Sequence, residues 1–327
     1  MSNQMKYGEV PGVGKPISRI VQGIIQVPHE DEAAGFALMD AVYEQGINAF
    51  DTAHIYAGGG KDRFLGKWIN SRGLRDKVVV LAKGAHHGGD RKRVTEYDIA
   101  ADLHDTLARM QTDYVDLYVL HRDDPNYPVE KIVDALNQWM REGKIKAFGG
   151  SNWSVERIRA ANDYAKKSGQ QPFAVSSPNF SLARQLKEPW DGCITISGPE
   201  QEEARRYYAE TNMPLFTWSS LAGGFLSGRM DRDNLDTFTG GLDKLAVECY
   251  ASDDNFQRLD RVKELGAKKD LSVAQMAVAY ILSYPLNIFA LIGSATPEEV
   301  QANVAALNTP LTEQEMAYLD LRADSPA

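Results

Sequence analysis

Short apolar runs alternate with longer amphipathic stretches along almost the whole chain. The runs are Ile17–Ile24, Ile47–Phe50, Val78–Ala82, Val115–Leu120, Ile145–Gly150, Phe173–Ser177, Leu215–Trp218 and Ile288–Ile292. They are rich in β-branched and aliphatic residues and bounded by polar ones, the pattern of buried parallel strands. Helical spacing of apolar positions follows in Glu32–Gln45, Arg63–Ser71, Glu96–Met110, Val129–Arg141, Val155–Lys167, Glu200–Thr211, Phe256–Lys269 and Pro297–Leu307. Ser154 is placed to N-cap the fifth helix, Gly143 to end the fourth, and Ser272 to start a further helix through Leu282. Asp98 and Asp102 load the early part of the third helix with negative charge. The repeat, roughly thirty to forty residues, is the span of one strand–helix unit.

Such units, repeated eight times, predict an α/β fold: a closed (β/α)8 TIM barrel forming one domain over residues 1–327. The rival open sheet would carry a Gly-x-Gly-x-x-Gly turn after its first strand, whereas Gly12-Val13-Gly14 precedes it. Ala183–Pro199 and Gly223–Asp254 interrupt the period and read as long loops after strands six and seven. With the loop after strand four they fall on the C-terminal face, where insertions shape access to a site.

That face changes the meaning of four polar residues. Asp51 follows Ile47–Phe50 with Tyr56 just beyond, Lys83 follows Val78–Ala82, and His121 ends Val115–Leu120. Singly each is an ordinary loop residue, but strand ends of one barrel converge on one pocket. A buried ammonium needs a partner, and Asp51 on the neighbouring strand supplies one to Lys83. The cation is expected to lower the pKa of Tyr56, fitting it to exchange a proton with a carbonyl oxygen. His121 is placed to orient that oxygen. None of these groups carries a hydride, so a cofactor is required.

Composition narrows the class. Apolar residues make up 43% and charged residues 25%, an ordinary globular balance. A net charge of −9 argues against general affinity for nucleic acid or anionic membranes, although a local basic pocket is compatible with it. Two cysteines, Cys193 and Cys249, make no disulfide framework. The opening Met1–Tyr7 has no basic stretch followed by an apolar segment, and a cytoplasmic protein is expected. Oligomeric state is not legible.

The chain resembles the aldo-keto reductases. Asp51-Thr52-Ala53-His54-Ile55-Tyr56 is similar to that family's Asp-Thr-Ala-x-x-Tyr signature, with Leu65-Gly66 following, and Leu81-Ala82-Lys83 and Leu120-His121 match its lysine and histidine segments. Gly149-Gly150-Ser151-Asn152 resembles the segment whose Ser and Asn hold the nicotinamide carboxamide. Trp218-Ser219-Ser220-Leu221-Ala222-Gly223-Gly224 resembles the stretch whose aromatic ring stacks on the nicotinamide and whose loop covers the pyrophosphate. Gly293-Ser294 with Thr296, Glu299 and Asn303 resembles the adenosine-binding segment. The resemblance implies cofactor contacts from Gly23, Ile24, Asp51, Ser177, Gly228 and Arg229 as well. It implies catalysis by Asp51, Tyr56, Lys83 and His121 on a small carbonyl or alcohol substrate, with Tyr56 as proton donor.

Departures from the family pattern matter most at the cofactor. Ala57 follows Tyr56 where Gly is usual, Asp62 replaces Glu, and Ser220 replaces Pro. Ser177 stands in place of a glutamine and needs a bridging water to reach a carboxamide. NADP(H) is the family expectation, yet residues 292–303 contain no Lys or Arg, which admits NAD(H). His54, His86 and Arg122 are candidates for the substrate pocket. Arg122-Asp123-Asp124 otherwise reads as a solvated loop, with Arg122 open to an anionic group of a substrate. No metal site is expected, because adjacent His86 and His87 point to different sides of an extended chain. Two other readings stay open: a Schiff-base lyase or aldolase using Lys83, and a cofactor-binding, redox-sensing regulatory subunit with slow turnover.

Overall fold

The computed structural model describes residues 4–327; Met1–Asn3 of the opening segment lie outside them. The chain begins with a small antiparallel pair, β1 (Tyr7–Gly8) and β2 (Ile17–Ser18). The barrel strands follow: β3 (Ile20–Gly23), β4 (Ala49–Ala53), β5 (Val79–Gly84), β6 (Val115–Leu120), β7 (Ile145–Ser151), β8 (Val175–Ser177), β9 (Leu215–Thr217) and β10 (Ile288–Ile292). They pair in parallel and in chain order, and β10 closes onto β3 through Ala290↔Ile20 and Leu291↔Val21.

Helices α1 (Glu32–Glu44), α2 (Gly60–Arg72), α3 (Glu96–Met110), α4 (Val129–Arg141), α5 (Val155–Ser168) and α6 (Glu202–Thr211) each follow one strand. After β9 come α7 (Gly241–Tyr250), α8 (Asp253–Lys269) and α9 (Val273–Ser283); α10 (Pro297–Leu307) and α11 (Glu313–Leu319) follow β10. Ser154 accepts from Arg157 N and caps α5, Ser272 forms a reciprocal cap with Gln275 on α9, and Gly143 with φ 74° follows the end of α4. At Gly66, helices α2 and α3 approach so closely that a Cβ would collide with the Met110 backbone. Among the described residues no helix is long and apolar enough to cross a membrane.

The period-two alternation of the strands sets the two cores. Val21, Ala49, Val79, Leu81, Leu117, Val119, Ala147, Val175, Phe216, Phe289 and Leu291 fill the barrel interior, and Val10, Val13 and Ile17 pack into the same cluster. The intervening positions, among them Phe50, Val80, Tyr118 and Phe148, belong to the larger cluster that includes the helices.

Three expectations change. Ile17–Ile24 is two strands, since Ile17–Ser18 turns back to pair with Tyr7–Gly8 before the barrel strand begins at Ile20. Gly223–Asp254 is not a plain loop, because α7 and two short 3-10 turns organise it. Asp51 and Lys83 lie inside β4 and β5 rather than beyond them, so their backbones are held in the sheet.

Candidate active site

Counting in steps of two from the interior residues leads directly to the site. Val21 is followed by Gly23, Ala49 by Asp51, Leu81 by Lys83, Val119 by His121, Val175 by Ser177 and Phe216 by Trp218. These positions form the next inward level, at the C-terminal mouth. Tyr56 enters from the 3-10 turn Tyr56–Gly59 directly after β4.

Lys83 Nζ donates to Asp51 Oδ1, with both side chains buried. The same ammonium lies 5.3 Å from the centre of the Tyr56 ring. The Tyr56 ring meets His121 edge to face at 5.8 Å, and His86 packs on the other ring partner, His121, at 4.8 Å. Burial pulls the Lys83 ammonium down, but the Asp51 carboxylate and Tyr56 outweigh it, so the amine is held above its ordinary value and stays charged. His121 is held well below the usual imidazole value by burial and by the Lys83 and Arg122 cations, so it is neutral. Its Nδ1 is buried without a partner.

The expected lowering of Tyr56 is reversed. Burial of the hydroxyl end raises the phenol above its ordinary value, and the opposing effect of Lys83 does not overcome it. Tyr56 is therefore a phenol at neutral pH, and among these four groups it is the one with an O–H proton to transfer.

The supports of this group were only partly legible. Thr52 Oγ1 and Thr106 Oγ1 donate to the buried Asp62 carboxylate at 2.6 and 3.0 Å, tying β4 to α3 beside Asp51. Asp102 accepts Ala85 N at 2.8 Å just beyond Lys83. Its signal was present: Asp98, Asp102 and Thr106 occupy buried positions of α3 alongside Ile99 and Leu103. His54, expected at the pocket, turns to α3 instead. Its Nε2 pairs with Asp105 Oδ2 at 3.1 Å, drawn by the carboxylates on that helix. Arg122 is buried, and Asp123 takes two hydrogen bonds from Arg157 at 2.8 and 3.0 Å, so the segment is not a solvated loop. His87 Nε2 lies 3.1 Å from Asp123 O, and His86 Nδ1 2.9 Å from His87 O.

The remaining mouth suits an extended ligand with an aromatic amide at one end. Ser151 Oγ donates to Ser177 O at 2.9 Å, and Asn152 accepts Ile194 N at 3.1 Å while donating to His121 O at 3.2 Å. Trp218 is half-buried with Nε1 unpaired, and Trp190 of the loop after β8 lies 6.4 Å away, a neighbour that sequence spacing did not reveal. Ser177 Oγ donates to Phe216 O at 2.7 Å, and Gln22 Oε1 is buried without a partner beside Gly23. Ser219 opens the turn with φ 58°, Ser220 Oγ reaches Leu291 O at 3.4 Å, and Leu221 O accepts Gly224 N. Gly223 and Gly224 have φ of 65° and 111°, the left-handed region that glycine adopts without strain. Arg229, one residue past Gly228, is held by Asp243 at 2.7 and 3.1 Å and passes beside Gly224. At the far end Asn303 donates to Ser294 Oγ at 3.1 Å, Thr296 caps α10, and Glu299 accepts Ala295 N at 2.7 Å. Ile24 is buried behind Gly23, and Gly293 is exposed. An unpaired indole at the mouth, orphaned polar atoms and a glycine turn fit a nicotinamide dinucleotide.

Comparison with known proteins agrees. The aldo/keto reductase family model matches residues 19–322. An NADP(+) aryl-alcohol dehydrogenase of Phanerodontia chrysosporium is 25% identical, with 95% of this chain and 83% of that protein covered. A probable voltage-gated potassium channel subunit beta of Oryza sativa is 29% identical over 86% of this chain and 84% of its own length. A glycerol dehydrogenase structure from Gluconobacter oxydans superposes with a TM-score of 0.77 at 22% identity, covering 98% of this chain and 95% of that one, which is a likeness of fold. This chain belongs to the aldo/keto reductase family, oxidoreductases that act on carbonyl compounds with a nicotinamide cofactor.

Proposed function

We propose that this protein reversibly reduces an aldehyde or ketone to the alcohol, with Tyr56 as the proton donor. The convergence of Asp51, Tyr56, Lys83 and His121 from three strand ends carries the reading. Ser151 and Asn152 would hold the carboxamide of the cofactor and Trp218 its ring face. Ser219–Gly224, Gly228 and Arg229 would hold the pyrophosphate, and Ser294, Thr296, Glu299 and Asn303 the adenosine end. When bound, the nicotinamide supplies the hydride that no side chain can supply.

The protein's own part is acid catalysis and orientation. Neutral His121 donates one hydrogen bond to the substrate oxygen and fixes it near the phenol. Tyr56 then transfers its O–H proton to that oxygen as negative charge develops there. Lys83 stabilises the phenolate left behind, and Asp51 holds Lys83 in place. A Schiff-base route through Lys83 is disfavoured, because an amine kept protonated by a buried carboxylate is a poor nucleophile.

The direct test is oxidation of NADPH and NADH in parallel against aldehydes, ketones and sugars, with aromatic aldehydes included on account of the aryl-alcohol dehydrogenase likeness. Tight cofactor binding with negligible turnover across the panel would favour the regulatory reading suggested by the channel-subunit likeness. Both cysteines are free and buried, which supports a cytoplasmic setting.

A further inference from the structure

We propose that Arg122 anchors a carboxylate on the substrate, so that the preferred carbonyl compound at this site is an oxo acid. This rests on the reductase reading above. Arg122 is only 6% exposed, yet among the described residues its guanidinium makes a single hydrogen bond, from Nη1 to His121 O at 2.9 Å. Among the described residues no carboxylate oxygen lies within 4.0 Å of its guanidinium. The other arginine buried to this degree, Arg258, has Asp320 at 3.5 Å.

Three of the acids near it are engaged elsewhere, and a fourth, Asp191 on the covering loop, is exposed to solvent. Asp123 is gripped by Arg157, Asp124 faces Lys92 at 3.6 Å, and Glu188 accepts Cys193 N at 3.2 Å. A buried cation without a counter-ion is costly, and a ligand anion removes that cost. Position agrees with charge. Arg122 follows His121 directly, and the His121 ring packs edge to face on both Tyr56 and His86. Gly192 of the loop after β8 roofs it, with a Cβ there standing 4.0 Å from Arg122 Cδ. Lys83 is already paired to Asp51, whereas Arg122 is among the described residues a cation with no ion-pair partner within 4.0 Å. A planar, bidentate guanidinium matches a carboxylate.

The experiment compares matched substrates: 4-oxobutanoate against butanal, and 4-carboxybenzaldehyde against methyl 4-formylbenzoate. Wild type is expected to favour the acid in at least one pair by about tenfold or more in kcat/KM. Arg122→Met is expected to erase that ratio mainly through KM, and Arg122→Lys to restore part of it. Should Arg122→Met fail to fold, ionic strength provides the check in wild type, where salt should lower kcat/KM for the acid more than for its neutral partner. Equal turnover within both pairs would overturn the inference and leave the reductase reading standing. An acid preference that survives Arg122→Met, or that salt leaves unchanged, would remove Arg122 from the role. Failure of every member to oxidise either cofactor would remove the reductase reading and this inference with it.

Discussion

Lys83 Nζ donates to the Asp51 carboxylate at the barrel mouth while standing 5.3 Å from the centre of the Tyr56 ring. One buried pair thus fixes a charge beside the phenol without leaving either partner alone in a low-dielectric interior. In the proposed mechanism charge stabilisation and proton transfer fall to different residues, and each can be tested alone.

Tyr56→Phe removes the O–H and little else. Carbonyl reduction should fall by about 10²–10⁴-fold, the usual size of general acid catalysis, while cofactor affinity and melting temperature stay near wild type. Single-turnover kinetics with a cofactor titration check this; near-normal reduction would take the proton-donor role from Tyr56.

The pH dependence follows from the directions at the site. Burial raises the Tyr56 phenol and Lys83 opposes the rise. Reduction needs the protonated phenol, so it should persist through neutral pH and decline only as pH climbs through the raised value. Oxidation of the alcohol needs the phenolate and should increase over that same alkaline range. Lys83→Met removes the opposing cation and should move both limbs to still higher pH. Profiles of kcat/KM in the two directions decide it, and unshifted limbs would speak against Lys83 as the tuning group.

Two tryptophans should answer truncation differently. Trp153 is fully buried against Phe173 at 4.9 Å, and Trp153→Ala should cost about 3–5 kcal/mol of stability. Trp218 is half-buried with an unpaired Nε1 at the mouth, so Trp218→Ala should weaken cofactor binding while lowering the melting temperature less. Denaturation and fluorescence titration of both variants provide the comparison. A larger stability loss in Trp218→Ala, with native cofactor affinity, would assign Trp218 to the core.

In the segment proposed to hold the adenosine, the Glu299 carboxylate accepts Ala295 N, and no Lys or Arg occurs in residues 292–303. A 2′-phosphate meets negative charge there, so the preference for NADPH over NADH should be small. Ala295→Arg should tighten NADPH selectively and make its binding salt-sensitive, and unlike a change at Thr296 it keeps the α10 cap. Dissociation constants for both cofactors at two ionic strengths are the measurement. Strong NADPH selectivity in wild type, unmoved by the added guanidinium, would place the phosphate contact elsewhere.

The alternation of apolar and polar residues made the barrel and the Asp51–Lys83–His121 level legible, because a strand sends every second side chain inward. Val79, Leu81 and Lys83 lie on one line whatever surrounds them. Local chemistry likewise marked Ser154 and Ser272 as helix starts, since a cap is made within one turn. Other features depended on partners distant in sequence. His54 follows the signature strand but is claimed by Asp105, about fifty residues on, which no local rule anticipates. Arg122 was readable as a pocket candidate on an otherwise solvated segment, but its burial beside Gly192 was not. The direction of the Tyr56 pKa was decided by burial outweighing the nearby Lys83 cation, which only the packed surroundings set. Periodicity and short-range hydrogen bonding are properties of neighbouring residues and are written in the sequence; burial and unpaired charge are properties of the packed whole, and only the tertiary structure decided them.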